Sequence, residues 1–219
     1  MINLHKPYGP YERFFKRPMD ILLSLIALIV LSPLLLILTV VGAVAMKGNP
    51  FFTQERPGKD ERIFKLIKLR TMTNKKNAAG QFLPDEQRLT RYGGFLRKTS
   101  LDELPELINI LKGDMSVVGP RPLRVKYLSR YNDVQHRRHE ILPGLTGLAQ
   151  VNGRNGITWQ KKFEYDVDYV EHITFCGDVK LIFSTVFSVL KSGGDGSGID
   201  VSEEFLGNDV EDSVEKVEV

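Results

Sequence analysis

The stretch ILLSLIALIVLSPLLLILTVVGAVAM, residues 21–46, is a run of 26 consecutive uncharged residues with Ser32-Pro33 near its middle. About 20 apolar residues are enough to cross a bilayer core. As one straight helix the run would measure about 39 Å at 1.5 Å per residue, more than the roughly 30 Å of hydrocarbon requires. Pro33 argues against a straight rod. It has no N–H and its ring crowds the carbonyl of Ile29, so the sequence predicts a kink or break at Ser32-Pro33. The Ser32 hydroxyl can satisfy a carbonyl freed there, which lipid cannot do. Each arm would be about 18–20 Å long if helical, too short to cross alone.

Charge decides how the segment lies. Lys6, Arg13, Lys16 and Arg17 precede it; Lys47, Arg56, Lys59, Arg62, Lys65, Lys68 and Arg70 follow. Positive flanks prefer the cytoplasmic side, so a simple span would strand one of them. A re-entrant hairpin over residues 21–46 leaves both flanks in the cytoplasm. A cleaved signal peptide does not fit, because the run exceeds the usual 7–15-residue apolar core and no small-residue cleavage site follows cleanly.

The 219-residue chain has room for one modest globular domain beside this segment. Its single cysteine, Cys176, excludes an internal disulfide and suits a reducing compartment; a packed thiol is the favoured reading. The net charge of +3 conceals an asymmetry: residues 200–219 carry −7, which leaves +10 on residues 1–199. A basic body suits anionic lipid and phosphate-bearing ligands. Nucleic acid is not expected as a partner, since no recognition motif or aromatic stacking platform is visible. The organisation is a basic flank at residues 1–20, the membrane segment at 21–46, a domain at 47–192, and a Gly/Ser linker with acidic tail at 193–219. That tail should be largely disordered or loosely docked.

Within the domain, Phe51–Gln54 and Ile63–Arg70 read as short strands separated by the turn Arg56-Pro57-Gly58-Lys59. Asn74 to Pro84 is a polar loop. Leu104 to Leu111 reads as a short helix with Gly113 in a C-terminal capping place. Leu123 to Ile141 suggests a surface helix anchored by Leu123, Tyr127, Tyr131 and Val134. Phe163, Val167 and Val170 make a partial helical stripe. Val179 to Leu190 is too short to span, so it should pack on the core or lie at the membrane surface. The fold class is α-rich α+β: a re-entrant helix-break-helix plus one small domain with short strands and amphipathic surface helices.

Ser100-Leu101-Asp102-Glu103-Leu104-Pro105-Glu106 is the most informative polar cluster. Two adjacent carboxylates at a helix start meet free N–H groups and the helix dipole, which lowers a carboxylate pKa and keeps it ionised for nucleophilic or metal-ligand work. The competing and simpler reading is structural, because Ser100-x-x-Glu103 is also a capping box. Arg121, between Pro120 and Pro122, is a rigidly presented guanidinium able to grip phosphate, or a solvated turn arginine. The glycine-rich stretches 143–147 and 152–156 could present N–H groups to phosphate but are not P-loops. His136 and His139 are three apart, yet Arg137 and Arg138 would repel a cation, so a surface histidine pair is favoured over a metal site.

Taken together, the motifs carry a resemblance. Lys16-Arg17-Pro18-Met19-Asp20-Ile21, Ser32-Pro33, Phe52-Thr53-Gln54-Glu55-Arg56-Pro57-Gly58, Lys68-Leu69-Arg70-Thr71-Met72 and Ser100-Leu101-Asp102-Glu103-Leu104-Pro105 come in that order. Leu111-Lys112-Gly113-Asp114-Met115-Ser116, Gly119-Pro120-Arg121-Pro122 and the stretch from Pro143 to Arg154 follow. This chain resembles the small monotopic phosphoglycosyl transferases of the bacterial sugar transferase family over nearly everything except the acidic tail. The resemblance implies an enzyme of the bacterial inner membrane with its catalytic domain in the cytoplasm. Such an enzyme moves a sugar-1-phosphate from a UDP-sugar to polyprenol (undecaprenyl) phosphate and releases UMP, in the first membrane step of glycoconjugate assembly such as protein glycosylation. It further implies Asp102 as nucleophile, Glu103 as a Mg²⁺ ligand, and Lys68, Arg97 and Arg121 at phosphates. Arg154 is implied near the nucleotide sugar, and Asp178, with Ser32 and Pro33, in supporting roles. Membrane lipids, the two substrates and pathway glycosyltransferases are the implied partners.

The stretch from Asn152 to Trp159 with Lys162 to Val167 looks most like the branch using UDP-N,N′-diacetylbacillosamine. Related members use other N-acetylated sugars, or hexoses such as galactose or glucose. The covalent ping-pong route through Asp102 competes with a direct transfer in which Asp102 acts as a base. Outside enzymes, a membrane-tethered scaffold recruiting partners through its tail would also use the basic body.

Overall fold

Thirty-one residues, Lys16–Met46, form a single α-helix, α1, in the computed structural model, which describes residues 5–153, 157–191 and 204–208. A π-helical turn at Tyr11–Phe15 leads into it, and Lys47, with φ 50°, closes it. The expected break at Ser32-Pro33 does not occur: helix runs through Pro33 and the two arms are one element. The reason is local. Pro33 cannot donate to the Ile29 carbonyl, and the Ser32 hydroxyl donates to it instead at 2.8 Å.

One stripe of α1 faces the rest of the protein, with Lys16, Asp20, Ser24, Leu38 and Gly42 buried along it. At the amino-terminal end, Asp20 accepts from Ser116 Oγ (2.6 Å) and Val117 N (3.1 Å), and Arg17 donates to the carbonyls of Leu111 and Met115. At the other end the Tyr92 hydroxyl donates to the Leu38 carbonyl at 2.7 Å, and a Cβ on Gly42 would lie 2.9 Å from that hydroxyl. Both ends of the helix therefore rest on the same domain. The opposite face is bare hydrocarbon: Ile29, Val30, Leu36 and Val44 are each more than 60% exposed. An apolar face of this length is unfavourable in water and marks a lipid-contacting surface.

Among the described residues the domain is helix-rich with two small sheets. Strands β1 (Phe51–Pro57) and β2 (Ile63–Leu69) form an antiparallel hairpin in which Phe52 pairs with Lys68 and Pro57 with Ile63. Its turn is a 3₁₀ segment, Lys59–Glu61, where Asp60 and Glu61 hold left-handed backbone at φ 53° and 60°. A loop leads to α2 (Asp85–Arg88), α3 (Arg91–Thr99) and α4 (Glu106–Lys112). As the sequence suggests, Gly113 terminates α4 at φ 100°. Fully buried Asn109 ties α4 to β2 by accepting from Ile67 N and donating to the Lys65 carbonyl. Strands β3 (Ser116–Val118) and β4 (Gly144–Thr146) pair in parallel.

Residues 123–141 are not one helix. A 3₁₀ segment at Val125–Arg130 gives way at extended Tyr131 to α5 (Asp133–His136) and a 3₁₀ turn, Arg137–His139. Asn132 makes a reciprocal capping box with Gln135, which starts a new helix and ends the old one. Leu123, Tyr127 and Tyr131 are buried as expected, whereas Val134 points outward. The remaining helices are α6 (Leu148–Gly153), α7 (Trp159–Glu171) and α8 (Phe175–Lys191). On α7 the stripe Phe163, Val167, Val170 is buried. Helix α8 buries Asp178 and Leu181 and exposes Phe175, Phe183, Val186 and Phe187. Cys176 is exposed, not packed.

Part of the tail departs from expectation. Residues 204–208 lie against the domain, and Phe205 is fully buried among Leu123, Tyr127, Tyr131, Trp159 and Phe163. Glu204 pairs with Lys126 and Arg130 beside it. The buried aromatic, the Glu204 ion pairs and an Asn208 side chain that bonds to Gln135 together fasten this acidic, apolar-poor stretch.

A candidate active site around Asp102 and Glu103

Helix α3 ends where Ser100 takes left-handed backbone, φ 56°, and the chain turns through a 3₁₀ segment, Leu101–Glu103, into α4. The capping-box reading of Ser100 fails: its side chain makes no capping hydrogen bond, and Pro105 occupies the N-cap of α4. Asp102 and Glu103 are thereby released from helix-capping duty and project from a tight turn between two helices.

Three cations from separate elements converge there. Lys68, near the end of β2, places Nζ 2.6 Å from Glu103 Oε1. Arg121, just beyond β3, brings Nη2 to 2.5 Å from the same oxygen. Arg97 on α3 acts electrostatically on Asp102 and donates from Nε to Thr71 Oγ1 at 3.1 Å. Glu106, in the first turn of α4, is the carboxylate that sequence reasoning missed. It is 2% exposed, and its Oε1 lies 3.2 Å from Lys68 Nζ but off the hydrogen-bond direction. The signal was its position three residues after Glu103, the spacing that brings helical side chains to one face.

Burial and the neighbouring Glu103 charge push the Asp102 carboxyl up to about 6, against the pull of Lys68, Arg121 and Arg97. This reverses the expectation that a helix start would hold it low. Glu103 meets the same burial, but Arg121 and Lys68 outweigh it and keep that carboxyl well below the usual range. Glu106 is pushed up to about 7 by burial and then by Glu103. Burial disfavours the Lys68 charge, yet Glu103 and Glu106 raise its pKa, so it stays an ammonium. The arrangement holds one firmly ionised carboxylate beside a second of intermediate acidity, under fixed positive charge.

The glycine motifs have a structural use. A Cβ on Gly144 would sit 2.0 Å from Gly119 N, and one on Gly119 would sit 2.5 Å from the Leu142 carbonyl oxygen. Only glycines permit this approach, in which Gly119 N donates to Thr146 O and Gly144 N to Pro120 O. The loop that carries Arg121 is locked to β4 as a result. Buried Arg138 adds a second hold, donating to the Arg121 carbonyl at 2.7 Å while paired with Asp166.

The structure brings Lys68, Arg97, Asp102, Glu103 and Arg121 together. Asp178 lies elsewhere, 1% exposed, accepting from Lys16, Tyr11 and Tyr169 at the foot of α1, and Ser32 and Pro33 sit on α1. Arg154 falls outside the described residues.

Comparison with known proteins gives a consistent result. The family described as "Bacterial sugar transferase" matches residues 11–192. An uncharacterized sugar transferase, EpsL, of Bacillus subtilis is 53% identical over 161 residues, covering 73% of this chain and 80% of that protein. A UDP-glucose:undecaprenyl-phosphate glucose-1-phosphate transferase of Klebsiella pneumoniae is 41% identical over 191 residues, 83% of this chain. An undecaprenyl-phosphate galactose phosphotransferase of Salmonella typhimurium is 38% identical over 201 residues, 84% of this chain. The matched regions make up only 41% and 42% of those two longer proteins.

Proposed function

We propose, for a chain that belongs to the bacterial sugar transferase family, that it transfers a sugar-1-phosphate from a UDP-sugar to undecaprenyl phosphate at the membrane surface. The observation that carries this reading is the turn that holds Asp102 beside Glu103, with Lys68 and Arg121 on one Glu103 oxygen. The names of the Klebsiella and Salmonella relatives support the same reaction class.

In the first step a carboxylate oxygen of Asp102 bonds to the sugar-linked phosphorus, and the bond from that phosphorus to the UMP oxygen breaks. UMP leaves with the electron pair. In the second step an oxygen of undecaprenyl phosphate bonds to the same phosphorus, and Asp102 departs as a free carboxylate. Lys68, Arg97 and Arg121 supply fixed positive charge for phosphate oxygens that would otherwise repel a carboxylate. The two-step route never requires both anionic substrates to be held at once.

The donor set suits a hard divalent cation. Asp102, Glu103 and Glu106 offer only oxygen ligands, and Glu106 Oε1 is buried with the Lys68 ammonium 3.2 Å away as its near neighbour. Glu103, with Glu106 behind it, would hold Mg²⁺, which when bound would neutralise diphosphate charge and improve UMP as a leaving group.

The packing of both ends of α1 on one domain supports a monotopic attachment rather than a crossing, and the basic flanks support a cytoplasmic face. Glucose and galactose in the relatives' names support a hexose donor. The resemblance of residues 152–159 and 162–167 to the diacetylbacillosamine branch is the competing donor reading, and Arg154, Asn155 and Gly156 within it fall outside the described residues.

A UMP-release assay across UDP-glucose, UDP-galactose, UDP-N-acetyl sugars and UDP-N,N′-diacetylbacillosamine, with and without undecaprenyl phosphate, tests the activity, the route and the donor. Expected are stoichiometric UMP and a mass gain on Asp102 with donor alone, and turnover once lipid is added. Turnover without any adduct under trapping conditions would overturn the covalent route; no turnover with any donor would overturn the activity.

A further inference from the structure

Glu61, His136 and His139 form a second polar cluster, built from the β1–β2 turn and the segment from α5 into the following 3₁₀ turn. Their ligand atoms all lie within 4.8 Å of one another. Glu61 Oε1 is 2.5 Å from His136 Nδ1 and 3.8 Å from His139 Nδ1. Around a tetrahedral ion with bonds of about 2.0–2.1 Å, neighbouring ligand atoms stand about 3.3 Å apart, between those two separations.

His139 supplies an independent observation. It is 6% exposed, and among the described residues neither of its ring nitrogens has a well-formed hydrogen bond. The His136 backbone lies close enough to favour the protonated ring, but not in the geometry of a well-formed hydrogen bond. A buried imidazole with both nitrogens unmet is costly, and a bound ion would satisfy one of them.

Repulsion by Arg137 and Arg138, which counted against a metal in the sequence, is reduced by their ion pairs, although the Arg138 charge still acts on His139. Arg138 turns inward to Asp166, each side chain 2% exposed, and Arg137 pairs with Glu140 and Glu171. Each arginine has a carboxylate partner, and Glu61 adds the negative charge within the cluster.

We propose that Glu61, His136 and His139 bind a divalent transition ion of the zinc class, with water as a fourth ligand, clipping the hairpin turn to the segment that contains Arg138. Two imidazoles and one carboxylate suit zinc, cobalt or nickel far better than magnesium, so this ion is chemically distinct from the one proposed beside Asp102. The site is structural: it fastens elements 75 residues apart in sequence, and Arg138, which holds the Arg121 carbonyl, lies between its two histidines.

The test uses the full chain, untagged, purified in detergent and stripped with EDTA. Titration with Co²⁺ in excess Mg²⁺ should give one equivalent bound with visible tetrahedral bands, displaced by Zn²⁺. His136→Ala and Glu61→Gln, chosen because both side chains are partly exposed, should each weaken Co²⁺ binding at least tenfold. Zn²⁺ should raise the unfolding temperature of the wild type but of neither variant. Absence of the bands, or bands undiminished in both variants, would overturn the proposal.

Discussion

Arg138 reaches Arg121 from behind, donating to its backbone carbonyl at 2.7 Å while its own charge is held by Asp166 at 2.8 Å. The guanidinium on Glu103 is thus positioned by a buried ion pair that touches no expected substrate. Removing one partner of such a pair leaves an uncompensated buried charge. Asp166→Asn should lower stability by about 3–5 kcal/mol in denaturant titration. The double variant Arg138→Met with Asp166→Leu should recover much of that stability yet fall below the wild-type UMP-release rate, because it removes the donor to the Arg121 carbonyl.

Asp102→Asn should abolish the donor-only burst of UMP and cut turnover by about 10³-fold or more, with the unfolding temperature close to wild type. The amide keeps the shape of the turn and loses the nucleophile. Burst amplitude and intact-protein mass are the measurements; wild-type turnover by the variant would refute the assignment.

Adjacent glycines of α3 should respond in opposite ways. A Cβ on Gly93 would lie 1.9 Å from the Thr71 carbonyl oxygen, whereas one on Gly94 meets nothing within 4 Å. Gly93→Ala forces the helix off the chain that carries Thr71, the partner of Arg97, and should destabilise the fold and impair activity. Gly94→Ala should stabilise by about 0.5–1 kcal/mol through lower backbone entropy in the unfolded chain. Thermal unfolding of the two variants side by side decides this.

Phe205→Ala should release residues 204–208 from the domain. Truncating a buried phenylalanine costs about 3–5 kcal/mol in a core, more than a short docked segment is expected to withstand. Limited proteolysis should then cut within 204–208, at sites protected in the wild type, while UMP release is retained.

Much of this architecture was legible in the residues. The hairpin followed from apolar runs around Pro57-Gly58, and the end of α4 from Gly113. Asp102, Glu103 and Arg121 stood out by residue type and Lys68 and Arg97 came only with the family resemblance; their convergence only the tertiary fold could show. The misreadings share a cause, in that a local pattern had two physical solutions. Ser100-x-x-Glu103 is a capping box only if Ser100 has extended backbone, and here it is left-handed. Leu123, Tyr127 and Tyr131 share a spacing of four, which a helix provides, yet Asn132 and Gln135 restart the chain between the last of them and Val134. His139 and Phe205 were unreadable because burial of a lone polar ring, or of one aromatic in an acidic stretch, depends on partners distant in sequence. Pro33 was read for its missing donor, and the serine before it filled that vacancy without breaking the helix.

In the proposed monotopic attachment, an apolar rod fastened to its domain at Asp20 and again beside Gly42 has no need to match the thickness of its host. Helices that traverse a bilayer must tilt, or thin the lipid, when lengths disagree. Here the internal fastenings, rather than the acyl chains, set how far Asp102 stands from the α1 hydrocarbon face. The same protein should therefore keep its working height in short-chain and long-chain lipids alike.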